Sequence, residues 1–107
     1  MTSRRDWVII DTCIWATFFS RSSSQEKINV DFLIDTDRVA LIGPILTEVL
    51  RGFRRDEEAS WTASRLRAAH WLETDWEDWE EAARLGRKAA SEGHSVPVAD
   101  LVVAATA

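Results

Sequence analysis

Two short, unbroken apolar runs stand out against longer stretches in which apolar residues recur every three or four positions. Trp7-Val8-Ile9-Ile10 is continuous and rich in β-branched residues, the pattern of a strand covered on both faces of a parallel sheet. Val39-Ala40-Leu41-Ile42 is the second such run, stopped by Gly43-Pro44. Between them, residues 12–19 and 26–35 read as helices, the latter with Ile28, Phe32 and Leu33 on one side. Ser20-Arg21-Ser22-Ser23-Ser24 separates these two helices as a surface loop. Pro44 suits the first turn of a further helix, which runs to Gly52 with Ile45, Val49 and Phe53 at helical spacing.

Residues 56–72 predict a long helix, since Ala59, Thr62, Ala63, Leu66 and Ala69 repeat at three and four. There is room for a short third strand around residues 71–74. Residues 75–92 are helical, with Trp76, Trp79, Ala83, Gly86 and Ala90 in line. Their acidic first turns suit the helix dipole, and Gly93 serves as the C-terminal cap. After an extended connector at 95–98, residues 99–107 form a last helix. Strands alternating with helices predict an α/β fold built on a parallel sheet.

With 107 residues, one domain is expected, able to bury about 65% of its unfolded surface. The 46% apolar and 29% charged fractions exclude a disordered or fibrous chain. No apolar stretch approaches the ~20 residues that span a bilayer, and Asp11 interrupts the first run where a signal peptide would not tolerate it. A cytoplasmic protein with no membrane partner is the expectation. Cys13 is the only cysteine, so it forms no intrachain disulfide and reads as a buried structural thiol.

The net charge of −5 argues against binding nucleic acid by bulk electrostatics alone. The charge is uneven, however. Six acidic residues crowd between Glu73 and Glu81, whereas arginines cluster at Arg51, Arg54, Arg55, Arg65 and Arg67. Of the six tryptophans, Trp61, Trp71, Trp76 and Trp79 sit within helical patterns and read as core rather than as ligand-stacking residues.

Asp11, Glu48 and Asp100 are the acidic residues embedded in apolar segments. Asp11 ends a buried strand, where open α/β sheets place their ligands. Glu48 lies in the helix after the second strand, and Asp100 opens the last one. Gathered at one sheet edge, the three would repel each other unless a cation joined them. Hard oxygen ligands select Mg²⁺ or Mn²⁺ over zinc, and such a site activates water against a phosphodiester. Thr12 adds a hydroxyl. Plainer readings compete: Asp11 and Asp100 as helix caps, Glu48 as a solvated helix residue, and Arg51, Arg54 and Arg55 as a solvated helix end. His70, placed in a helix, and His94, in a loop, have no serine or cysteine arrangement around them that would make a triad. No glycine-rich phosphate loop is present, which excludes nucleotide-binding loops of that kind.

Val8-Ile9-Ile10-Asp11-Thr12, Leu46-Thr47-Glu48-Val49-Leu50-Arg51-Gly52 and Val96-Pro97-Val98-Ala99-Asp100-Leu101-Val102-Val103-Ala104-Ala105-Thr106-Ala107 together resemble the PIN-domain family, in particular the VapC-like toxins of bacterial toxin–antitoxin pairs. The resemblance implies a single PIN-like domain over 1–107, with a parallel sheet flanked by helices on both faces. It further implies a Mg²⁺- or Mn²⁺-dependent endoribonuclease with Asp11, Glu48 and Asp100 as catalytic and metal-holding residues and Thr12 in support. Arg51, Arg54 and Arg55 are the candidate RNA contacts. The implied partners are an RNA substrate and a cognate antitoxin, in a homodimer or a toxin–antitoxin hetero-oligomer. Phe18, Phe19 and Phe32 either form an apolar surface that receives a helix of the antitoxin or pack on the sheet. Similar folds continue past the last helix into one or two more strands, so the chain reads as C-terminally truncated, with the first strand exposed as an edge. The alternative function is a catalytically inactive module that binds an antitoxin or its own copy.

Overall fold

In β2 (Val39–Ile42) every residue is buried. Successive side chains of a strand point to opposite faces, so four buried positions in a row mean cover on both sides. The computed structural model describes residues 3–20 and 24–106, and in it β2 is the middle of a three-stranded sheet ordered β1-β2-β3. β1 (Val8–Ile9) and β3 (His70–Leu72) both run parallel to it. The register sets Ile9 against Ala40, and Ala40 against His70. Among the described residues β1 pairs with β2 alone, which leaves its other side an edge.

The crossovers are helical, as parallel strands require: α1 (Thr12–Ser20) and α2 (Gln25–Asp35) lead to β2, and α3 (Gly43–Arg51) and α4 (Asp56–Leu66) lead to β3. β2 enters α3 without an intervening loop, Ile42 being the N-cap and Pro44 lying in the first turn. α5 (Trp76–Ser91) and α6 (Val98–Thr106) complete the chain. Ile10, Trp15, Val30, Leu41, Ile42, Ile45 and Val102 are central to the buried core.

Several expectations are corrected. The helix expected over 56–72 ends at Leu66, and the short strand expected around 71–74 is present as β3 at 70–72, one residue earlier in its start. The amides of Ala68 and Ala69 close tight turns onto the Arg65 and Leu66 carbonyls, and residues 70–72 then pair with β2, a partner distant in sequence. His70 is therefore in a strand, where it stacks on Trp7 with ring centroids 4.3 Å apart. α2 buries Val30 and leaves Ile28 and Phe32 each 59% exposed, because apolar residues surround this helix and only one face meets the core.

α5 is turned by about one position. Ala82 is buried, Leu85, Gly86 and Ala89 are half-buried, and Ala83 and Ala90 face outward. A Cβ on Gly86 would stand 3.0 Å from Leu101 Cδ1, so small residues, not tryptophans, form the seam with α6. Trp61, Trp71, Trp76 and Trp79 are all exposed rather than core. Cys13 is exposed as well, on the outer face of α1. Phe18 and Phe19 are half-buried against Trp15 and the core. Of the expected loop at 20–24, Ser20 ends α1 and the Ser24 side chain caps α2, while 21–23 lie outside the described residues, as does Ala107.

Candidate active site at the carboxyl edge of the sheet

Three parallel strands end at one edge, and the residues just beyond each strand are carried to it. Asp11 stands two positions beyond β1 and is exposed. Its backbone carbonyl accepts the Ile14 and Trp15 amides, each at 3.1 Å, and so starts α1. Among the described residues nothing hydrogen-bonds the Asp11 carboxylate, which is therefore not spent on capping. Asp100 is the third residue of α6, inside the helix rather than at its N-cap, and it is exposed.

Glu48 is positioned by the burial of its own helix. α3 turns Ile45 and Val49 into the core, which sets Glu48 at the margin of the buried face, where it is half-buried. There the Thr12 hydroxyl donates to Glu48 Oε2 at 3.2 Å. One bond thus links the start of the helix after β1 to the helix after β2. Thr12 and Glu48 also border a small cavity of about 150 Å³ against Val49 and Phe53.

Glu48 opens on its other side into a larger cavity of about 520 Å³. α3 contributes Gly43, Thr47, Glu48 and Arg51, the end of β3 contributes Trp71, Glu73 and Thr74, α5 contributes Trp79, and α6 contributes Ala99. Asp11 borders a separate cavity of about 430 Å³, with Arg4, Val103 and Thr106. The fold thus joins Thr12, Glu48 and Arg51, with Asp100 next to the cavity-lining Ala99 and Asp11 next to Thr12. No three His, Cys, Asp or Glu side chains come close enough to hold a metal ion among the described residues. The donor chemistry nonetheless suits a hard divalent cation: carboxylate and hydroxyl oxygens, with neither sulfur nor imidazole among these residues.

The arginines divide. Arg51 lines the Glu48 cavity, whereas Arg55 turns toward Glu57, Nε to Oε2 3.7 Å. Arg54 is exposed beside it. Three cavity residues escaped the sequence reading: Glu73, Trp71 and Trp79. The signal for Glu73 was available, since it lies just beyond β3, but the short strand expected over 71–74 placed it inside the strand rather than past its end. The sequence matches the PIN domain over residues 8–107. No curated protein matches it.

Proposed function

The chain belongs to the PIN-domain family, and from that premise we propose a metal-dependent endoribonuclease that is the toxin of a toxin–antitoxin pair. PIN domains are generally nucleases that bind divalent cations such as Mg²⁺. Asp11, Glu48 and Asp100 would hold Mg²⁺ or Mn²⁺, which when bound supplies an acidified water and charge stabilisation at phosphorus. Thr12 restrains the Glu48 carboxylate through Oε2 and leaves Oε1 without a hydrogen bond among the described residues. Arg51, on the same cavity wall, attracts the phosphate of the substrate strand. The observation that carries this reading is the Thr12–Glu48 bond at the carboxyl edge. Incubating the full chain with structured RNA in Mg²⁺, in Mn²⁺ and in EDTA tests it. Cleavage should require the ion and vanish in Asp11→Asn, Glu48→Gln and Asp100→Asn. Cleavage indifferent to EDTA, or to all three substitutions, sinks the reading.

An antitoxin partner is supported by α2, which exposes Ile28 and Phe32 one turn apart on its outer face. Apolar exposure of this kind is typical of a helix-in-groove or helix-on-helix contact. A second reading, an inactive interaction module, is favoured by the separate cavities that Asp11 and Glu48 line. Calorimetry with Mn²⁺ distinguishes the two: a nuclease gives heat that Asp11→Asn removes, and an inactive module gives none.

A further inference from the structure

Two exposed tryptophans stand on the walls of the cavity that holds Glu48. Trp71 and Trp79 are each 48% exposed, and both line the same space as Glu48 and Arg51. Both rings thus keep about half of their surface in water within one cavity, where a ligand can cover them. Trp71 is restrained at its polar end, where Nε1 donates to Glu73 Oε2 at 2.8 Å. With its polar atom already satisfied, the ring has only a flat apolar face left to offer. Trp79 lies in the first turn of α5, on the same helix face as Ala82 and Gly86, and there it borders the cavity. Arg51 makes no ion pair among the described residues, and the Thr47 and Thr74 side chains line the same walls.

We propose that Trp71 and Trp79 are a stacking surface for unpaired bases of an RNA strand, seating a phosphate beside Arg51. The inference rests on the nuclease reading above and adds how the substrate is held. A nucleotide matches both halves of this cavity: its base needs a flat apolar face and its phosphate needs a cation. An apolar protein segment would instead bury Arg51 and Glu48 unpaired, at a large desolvation cost. With a net charge of −5 and Glu77, Asp78, Glu80 and Glu81 around Trp79, bulk attraction for a polyanion is weak, so stacking has to carry most of the affinity. Stacking on aromatic side chains tolerates any base sequence. Paired bases cannot stack on a side chain, so the substrate segment is single-stranded.

Anisotropy of a fluorescein-labelled oligouridylate, read in EDTA so that no cleavage intervenes, tests this on the full chain. Trp71→Ala and Trp79→Ala should each weaken binding about tenfold. Trp71→Phe should retain most of the affinity, because a flat ring remains. Trp76→Ala should bind as wild type, since Trp76 is 73% exposed and lies outside this cavity. Arg51 is the one cation lining the cavity among the described residues, so the plot of log affinity against log salt should have a slope of about −0.7. Unchanged binding in both alanine variants overturns the proposal, and so does the absence of binding by the wild type. Self-association that Trp71→Ala abolishes while RNA binding persists would assign the surface to a protein interface and overturn it equally. Cleavage in Mg²⁺ is scored separately. Intact tryptophan-dependent binding without cleavage removes the nuclease reading alone, and intact cleavage with tryptophan-independent binding removes the stacking surface alone.

Discussion

The Thr12 hydroxyl and Glu48 Oε2 meet at 3.2 Å across 36 residues of sequence. Two helices that follow neighbouring strands are thereby tied together at the edge where the proposed chemistry takes place. A hydroxyl donating to a carboxylate contributes about 1.5–3 kcal/mol net, against about 0.5–1.5 for a neutral pair.

Thr12→Val keeps the shape of the side chain and removes the donor. RNA cleavage should fall about tenfold, the equivalent of about 1.4 kcal/mol in the barrier, while Thr12→Ser retains activity. A valine variant with wild-type kinetics would show that the Glu48 carboxylate needs no restraint.

Metal should register in stability. Asp11 and Asp100 are exposed, so Asp11→Asn in metal-free buffer should shift stability by less than about 0.5 kcal/mol. At an Mg²⁺ concentration a hundred times Kd, the wild type should gain about 2.7 kcal/mol, and Asp11→Asn should lose that gain. Thermal unfolding with and without the ion measures both. Equal gains in the two proteins would exclude Asp11 as a ligand.

The seam between α5 and α6 should resist enlargement. Gly86 has 3.0 Å between a would-be Cβ and Leu101 Cδ1, and overpacking typically costs about 1–3 kcal/mol. Gly86→Val should lower the urea midpoint accordingly, and adding Leu101→Ala should recover part of the loss. If Gly86→Val unfolds at the wild-type midpoint, α6 sits more loosely than this contact indicates.

One surface pair has a pH signature. Arg84 Nε donates to both Glu81 oxygens, at 2.9 and 3.1 Å, and these bonds hold the Glu81 carboxyl below its ordinary 4.5. A carboxyl depressed in the folded state contributes stability above its unfolded pKa and loses it as pH falls through the folded one. Wild type should therefore melt slightly above Glu81→Gln at neutral pH and low salt. The gap should close below the ordinary carboxyl range, and also at high salt, since the pair is exposed. A gap that widens in acid would reverse the assigned sign.

Much of the architecture follows from local pattern. Val39-Ala40-Leu41-Ile42 bounded by Gly43-Pro44 reads as a buried strand running into a helix, and it is one, because run length, β-branching and proline all act within a few residues. Asp11, directly past the first run, and Glu48, in the helix that follows the second, were legible as candidates for the same reason. The pattern left open any choice among near-equal alternatives. α2 and α5 carry apolar residues around much of their circumference, and which side turns inward was decided by neighbours: the core beneath Val30, and Leu101 against Gly86. β3 is the clearest case. Local pattern allowed both a helix through 72 and a short strand around 71–74; the pairing of His70, Trp71 and Leu72 with β2, thirty positions earlier, chose between them. That pairing ends α4 at Leu66 and puts Trp71 and Glu73 on the cavity beside Glu48. Periodicity records what each segment can do alone; the register of a parallel sheet depends on contacts between segments far apart in the chain, and these exist only once it has folded.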